Sequence, residues 1–460
     1  MSGLSRRELI ALAAATTTVG FGSLGAGCGV GSTPSKRRKV IVVGAGLAGL
    51  GAAAVLRTAG FTPIVLEARP RIGGRVHTVD HFGTKVDLGA AWIHDSRGNP
   101  LTAVAEAQGL KTVATDYDRV ALRKADGSAV SAAIAEEAMA ARDQIISALS
   151  DQAQDTPRER LAGPLQSQIN RQGLTGSAAE TLQWLLGVEL PLDVGADPNL
   201  LSLEGFNEGD EWNGGPDLLM VGGASQLVAA IAKGTTVRTG AEVVAVRSQG
   251  QQVAVTLRSG AIIKASGCIV TVPLGVLKAS TITFDPPLPA ATRRAISRIS
   301  VGVLDKVFLD YSQAQWPQTA VALGTVGESL ANTVSVFPLE RVTGKALGVG
   351  FIGGAYAVEL ERAGPAAMVE AVVERMSQGF PDMATPRSTL STAWKADRFA
   401  RGSYSFLGPS ATATDRVALG RRSGRVILAG EHTSINRPAT MDGAWLAGRA
   451  AASRLVDALT

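Results

Sequence analysis

Two hydrophobic rhythms alternate along this chain, and the places where one gives way to the other mark its organisation. VIVV, which opens the segment 40–50, is a β-branched run too short for a helix; it enters a glycine-rich turn, and a helix follows over Ala52–Thr58. FTPIVLEAR at 61–69 predicts a second buried strand. From Leu101 to about Leu190 the period turns helical, with AVSAAIAEEAMAARDQIISAL as the clearest run. Asp155-Thr156-Pro157, and Ser177 with Glu180 three residues on as a capping box, read as helix starts. Strict alternation returns from Val237 to Val272 (TVRTGAEVVAVRS, QQVAVTLRSG) and predicts hairpin strands, and CIVTVP at 268–273 predicts a strand that ends at proline. Residues 290–395 mix strands and helices, and the chain closes with the strand RVILAGEHT and a helix from about Met441 to Leu459. Nucleotide-binding α/β character therefore stands at both ends, with helical and mixed insertions between, which predicts two interleaved domains.

The first of those strands carries specific chemistry. Gly44-Ala45-Gly46-Leu47-Ala48-Gly49 matches GxGxxG between a strand and a helix. Gly44 permits the tight turn, Gly46 lets the backbone approach a pyrophosphate, and Gly49 lets helix and strand pack closely, while the helix N-terminus offers amide hydrogens to the anion. Glu67 ends the second strand, where an acidic side chain takes ribose hydroxyls. The continuation LEARPRIGGRVHT adds the pair Gly73-Gly74 between Arg71 and Arg75, which brings more backbone and two guanidinium groups toward a diphosphate and points to FAD rather than NAD.

Composition narrows the class. Of 460 residues 45% are hydrophobic and 18% charged, enough apolar material for a large core, so wholesale disorder is excluded. The 53 glycines follow no collagen-like period and imply many tight turns. The net charge of +5 comes from Arg6, Arg7, Lys36, Arg37, Arg38 and Lys39, so the body is near neutral and no basic footprint for nucleic acid is visible. Cys28 and Cys268 cannot build a disulfide framework, and Cys268, in an apolar strand, reads as an inert core thiol. His77 and His81 lie four apart on extended chain and share no helical face for a metal.

The leader is a separate matter. SGLSRRELIAL at 2–12 and a weakly apolar Ala/Thr/Gly run to Gly27 resemble a twin-arginine export signal built on Arg6-Arg7. The run ends at LGAGC, which resembles an imperfect lipobox: Leu24 sits one position too far from Cys28, the candidate lipidated residue. Residues 29–38 read as a flexible tether. The expected location is extracytoplasmic, periplasmic or cell-surface, with membrane contact only through the signal or a lipid on Cys28.

Seven ordered segments between Val40 and Leu455 together resemble the flavin-dependent amine oxidases, the family of monoamine oxidases, polyamine oxidases and lysine-specific histone demethylases. They are GAGLAGL, LEARPRIGGRVHT, DLGAAWIH (87–94), TVPLGVLK (271–278), VGVLDKVFL (301–309), WKADRFARGSYS (394–405) and GEHTSINRPATMDGAWLAGRAA (430–451). The resemblance implies an α/β fold in which a Rossmann-like FAD-binding domain (36–100, 216–289 and 396–460) is interleaved with a mixed α+β substrate-binding domain (101–215 and 290–395), after a signal and tether at 1–35. It places Gly44, Gly46, Gly49, Glu67, Arg75, Gly89, Ala90, Val243, Trp394, Glu431, Thr440 and Met441 at the cofactor. Val243 stands where the backbone meets the adenine in relatives, Glu431 lies near the ribityl-diphosphate, and Trp394 either packs over the flavin or is an ordinary core tryptophan. The helix beginning near Met441 aims its N-terminal dipole at the flavin pyrimidine edge.

Lys306, a lysine in an otherwise apolar strand, is by the same resemblance the residue that holds a water at flavin N5; burial lowers the pKa of such an ammonium. Ser403 stands where monoamine oxidases carry the cysteine bonded to the flavin, so the FAD is expected to be non-covalent. Tyr404 matches one wall of the aromatic cage for the amine, and Thr440 stands at the other. RPATMDGA, GEHTS and WIH resemble polyamine oxidases and histone demethylases, and His94 either faces the substrate or is a satisfied hydrogen-bonding histidine. Glu204, Glu208, Asp210 and Glu211 form an acidic stretch that reads as a solvated loop, or as an attractor of polycations. No metal is expected. The implied activity is oxidation of a primary or secondary amine, polyamine-like by preference, with O2 reduced to H2O2; the rivals are an L-amino-acid oxidase on the same fold and a non-catalytic flavin-binding surface protein.

Overall fold

The computed structural model describes residues 38–460 apart from 118, 211 and 328. Arg6, Arg7, Cys28 and Glu211 lie outside the described residues. A five-stranded parallel sheet takes the order Val426–Leu428, Gly267–Val270, Lys39–Val43, Thr62–Leu66, Val237–Arg238. Its central strand is apolar without alternation because both faces are covered. Val40 and Val42 feed one core cluster, with the helices Leu47–Thr58 and Met441–Leu459, while Ile41 and Val43 feed another on the opposite face. Those two helices approach closely because a Cβ at Gly448 would lie 1.9 Å from Ala48 O. This is the Rossmann-like half of the α/β fold. Cys268 is fully buried in it, and burial pushes its thiol far up, as an inert core residue requires.

A second, six-stranded sheet takes the order Ser388–Ser391, Leu304–Asp310, Leu347–Gly353, Ser335–Pro338, Ala322–Thr325, Val120–Arg123, antiparallel except for its last pair. The helices Ala132–Asp155, Ala162–Gln172 and Gly176–Gly187 form a block with their own core around Ile145, Leu149, Leu182 and Leu186.

Four local expectations need correction. The stretch 101–190 is not wholly helical: Thr112–Thr115 pairs with Asp217–Met220, and Val120–Arg123 with Ala322–Thr325. Four-residue strands whose partners lie 100 to 200 residues away leave no local period to detect. Asp155-Thr156-Pro157 ends a helix rather than starting one: Thr156 caps Ala132–Asp155 with its amide on Gln152 O, and Pro157 stops continuation. Ser177 lies inside a helix that begins at Gly176, with Thr175 at the N-cap and no side-chain cap bond. The first helix also starts earlier than the pattern implied, at Leu47.

Candidate active site

A cleft of about 2550 Å³ is lined by residues of both sheets and the helical block, from Gly44 and Leu47 to Lys306, Phe351 and Thr440. Ordinary small-molecule sites span about 300–1,000 Å³, so this one has room for a dinucleotide and a substrate together. At the glycine turn Gly44 has φ +103°, a conformation that favours glycine, and a Cβ on Gly49 would lie 1.9 Å from Gly44 O. Gly46 is the N-cap of the helix Leu47–Thr58, with no side-chain cap, and a Cβ there would meet nothing nearer than 3.9 Å. The first-turn amides of that helix therefore lack side-chain acceptors and border open space, which fits a diphosphate. Glu67 is buried, with Oε2 accepting from Ala45 N (2.8 Å) and Oε1 from Arg69 N (2.8 Å), so the same carboxylate that faces the cleft also braces the turn. Val243 lines this part of the cleft, beside Glu242, which holds Arg258 and Arg398.

The two arginines after Glu67 behave differently. Arg75 lines the cleft, and its guanidinium donates to Ser403 O (2.7 Å) and Glu431 Oε1 (3.0 Å). Arg71 does not line the cleft; it donates to Ile72 O and Gly74 O and so shapes the turn instead of reaching a diphosphate. Glu431 also accepts from Ser405 Oγ (2.6 Å) and Ala439 N (3.2 Å). Burial would raise its pKa, but Arg75, then His432, the Ser405 hydrogen bond and Arg416 outweigh it and hold the carboxyl down at about 2.

Lys306 points from its strand into the cleft and is 6% exposed. Its Nζ donates to Asp87 O (2.8 Å) and Gly89 O (2.6 Å), and lies 5.6 Å and 5.5 Å from the ring centroids of Trp92 and Phe351. Burial lowers its pKa to about 8 against the opposing pull of Asp87. Gly89 has no room for a side chain, since a Cβ would lie 1.7 Å from Arg75 O, and Ala90 N donates to that same carbonyl. Trp394 is buried, and it lines the cleft and donates from Nε1 to Leu88 O (3.1 Å).

Tyr404 lines the cleft with its hydroxyl on Asp193 O (2.9 Å); burial pushes its pKa well above the ordinary value, so it presents a neutral ring. Ser403 Oγ donates to Leu304 O and accepts from Leu304 N. Thr440 lines the cleft too, but as the N-cap of Met441–Leu459: its hydroxyl accepts from Gly443 N and donates to Arg437 O, so its proton is already committed. Met441, just behind it, borders the cleft. His94 is a hydrogen-bonded histidine at the cleft. It lines the cleft, and its Nδ1 meets Asp217 Oδ2 at 2.6 Å.

Several residues here were not anticipated. Asp217 also accepts from Tyr117 OH (3.0 Å) and Asp95 N (3.0 Å). Buried Arg437 joins Asp95, Asp210 O and Asp442, and Asp442 accepts from Trp212 Nε1. The acidic stretch is not simply a solvated loop: Glu208 lines the cleft in a bidentate pair with buried Arg416, and Glu204 accepts from Ala413 N. Arg437 stands inside a motif already visible in the sequence, but its partners lie up to 342 residues away. Asp95, Arg401 and Ala439 all line the cleft with φ between +48° and +61°, which no sequence pattern signals; such strain concentrates at functional sites.

A sequence model described as flavin containing amine oxidoreductase matches residues 47–456. The chain belongs to that family. Polyamine oxidase 4 of Oryza sativa subsp. japonica is 32% identical over 430 residues, covering 90% of this chain and 87% of that protein. Lysine-specific histone demethylase 1 homolog 3 of Oryza sativa subsp. indica is 30% identical, covering 90% of this chain but 53% of that protein. A solved structure of wild-type putrescine oxidase bound to putrescine aligns with a TM-score of 0.73 over 92% of this chain and 100% of that one, at 20% identity, a likeness of fold. This is an amine oxidase with FAD as its cofactor, not a passive flavin carrier. The uncapped helix at Gly46, the Glu67 carboxylate and the second helix N-terminus at Met441 are the groups in this chain that would hold FAD.

Proposed function

We propose that this amine oxidase acts on a polyamine-like primary or secondary amine, yielding an aldehyde with an amine or ammonia. The observation that carries the reading is the carboxylate lining. Asp116, Glu136, Asp143, Glu189, Asp193 and Asp217 border the cleft that also holds His94, Tyr117 and Tyr404. A chain bearing several ammonium groups gains from such a field. The rival, an L-amino-acid oxidase, needs a guanidinium for the substrate carboxylate. Arg142 borders the cleft, but it lies 2.7 Å from Asp143 and 3.8 Å from Glu189. An incoming carboxylate would have to displace those partners.

Bound FAD supplies the two-electron acceptor, and O2 takes the electrons on as H2O2. The CH–N unit loses two electrons and two protons to become C=N, and water then adds to release aldehyde and amine. The chain's own groups orient the amine and exclude bulk water. In the tautomer whose Nδ1–H donates to Asp217, His94 offers Nε2 as an acceptor toward the amine nitrogen. Lys306, as an ammonium, has a third donor beyond those on Asp87 O and Gly89 O, and this holds a water in the cleft. Ser403 has no thiol for a covalent bond, so the FAD is held non-covalently.

A peroxide-coupled assay over polyamines, monoamines and L-amino acids tests the reading. The highest kcat/KM is expected for a polyamine; faster turnover of an L-amino acid or a simple monoamine overturns it. The extracytoplasmic location is likewise a proposal, resting on the leader alone.

A further inference from the structure

The strand Asp217–Met220 lies between Trp92–Ile93 and Thr112–Thr115 in a three-stranded sheet. Its register sets Ile93 against Leu218, so His94, the next residue, falls beside Asp217. On the other side Thr115 pairs with Asp217, and Tyr117 follows two residues on. Three side chains thus meet at one end of the sheet. His94 Nδ1 lies 2.6 Å from Asp217 Oδ2, which also accepts from Tyr117 OH (3.0 Å), while Oδ1 accepts from Asp95 N (3.0 Å). The backbone of the histidine is held as well: buried Asn99 donates to His94 O (2.8 Å), and Asp95, the next residue, is paired with Arg437 (2.8 Å). Among the described residues Nε2 of His94 has no hydrogen-bond partner, and the ring lines the cleft with its side chain 33% exposed.

We propose that Asp217 is a positioning residue that holds His94 in its Nδ1–H tautomer, and that the acceptor this leaves at Nε2 makes the cleft selective for amines that keep an N–H when neutral. An ionised carboxylate only accepts hydrogen bonds. Asp217 takes the Asp95 amide on one oxygen and the Tyr117 hydroxyl on the other, so the nitrogen 2.6 Å away carries its hydrogen toward the carboxylate. The proton of a neutral imidazole is then spoken for, and Nε2 presents a lone pair. Oxidation draws on the neutral amine, whose own lone pair becomes part of the C=N bond. A neutral primary or secondary amine still has an N–H to give to Nε2. A neutral tertiary amine has none, and its lone pair would face another lone pair. Tertiary amines are therefore refused for the hydrogen they lack and not for their size. The inference rests on the reading that His94 faces the amine, and on no particular amine chain.

Wild type and Asp217→Asn, each as holoenzyme, test it. In D217N the side-chain carbonyl takes the Asp95 amide, which turns the NH2 toward His94; Nδ1 then accepts, and the ring carries its hydrogen on Nε2. The chain has four histidines, few enough for 1H–15N spectra of 15N-histidine-labelled protein to resolve each ring, and His94→Gln identifies the signal. At about pH 9, where free imidazole is uncharged, His94 should be the Nδ1–H tautomer in wild type and the Nε2–H tautomer in D217N. Peroxide-coupled kinetics then compare the best primary or secondary amine with its analogue N-methylated to a tertiary amine. Wild type should favour the N–H amine by about 10- to 100-fold in kcat/KM, the typical effect of leaving one buried polar group unmatched. D217N should lose most of that preference, whereas discrimination by size would persist in it. Wild-type His94 found as the Nε2–H tautomer or as imidazolium overturns the proposal. So does a wild type that oxidises both amines equally, or a D217N protein that keeps the wild-type tautomer or preference. If D217N does not fold, the wild-type spectrum decides. The spectra need no substrate, so failure of the polyamine reading leaves this test intact.

Discussion

Lys306 and Trp394 converge on one short stretch of backbone: the ammonium donates to Asp87 O and Gly89 O, and the indole to Leu88 O between them. The strand Leu304–Asp310 and the turn that follows its neighbour Ser388–Ser391 thereby fix the segment that follows Arg75, and a wall of the cleft is set by two donors from a distant sheet.

Lys306→Met tests the catalytic side of that arrangement. Methionine matches the lysine stem in length, but it leaves two carbonyls without their donor, so stability should fall by about 1–3 kcal/mol. Flavin reduction by amine, reoxidation by O2, or both, should slow by roughly 10²–10³, the typical effect of deleting one positioned polar group at a reacting centre. Stopped-flow absorbance, with FAD occupancy checked first, separates the half-reactions. Wild-type speed in both would reduce Lys306 to a structural residue.

Acid should unfold the enzyme in two stages, through His432 and then Glu431. Burial holds His432 neutral, with its pKa lowered to about 4, so stability declines as the pH falls from 6.5 toward that value. The depressed Glu431 carboxyl contributes stability that is present above its ordinary 4.5 and lost as the pH falls through about 2. Glu431→Gln should remove the second stage. It should also cost about 3 kcal/mol at neutral pH, because Arg75 keeps Ser403 O but loses the charge that balances its own. Denaturant melts from pH 7 to pH 2 read both effects; an unchanged acid limb in the variant would refute the assignment.

The cofactor should leave with acid. Ser403 offers a hydroxyl held by the backbone of Leu304 on both sides, and no thiol. Precipitation in acid should put all yellow colour in the supernatant as FAD, and colour kept in the pellet would point to another attachment residue.

Export should depend on Arg6 and Arg7. Replacing both with lysine should leave precursor in the cytoplasm, because a guanidinium pair is not interchangeable with two ammonium groups. Cys28→Ala should release a soluble form only where the imperfect lipobox is used. Fractionation with immunodetection follows both variants.

What the sequence determined by itself is what depends on neighbours within a few dozen residues. The strand, glycine turn and helix at Lys39–Thr58 were legible because φ +103° at Gly44 and the close pass of Gly49 demand glycine locally. Lys306 stood out because an ammonium in an apolar strand is rare, and Glu67 because it ends a strand at a fixed distance from the turn. The tertiary structure alone decided who meets whom. Arg75 with Glu431, His94 with Asp217, Glu208 with Arg416 and Arg437 with Asp95 join residues 123 to 356 positions apart. Burial turned Glu208, in an acidic stretch that reads as solvent-facing, into half of an ion pair with Arg416, and gave Thr440 a capping role that its type permits but does not require. A charge in water needs no particular partner, whereas a charge taken out of water needs one, and only the folded chain chooses it.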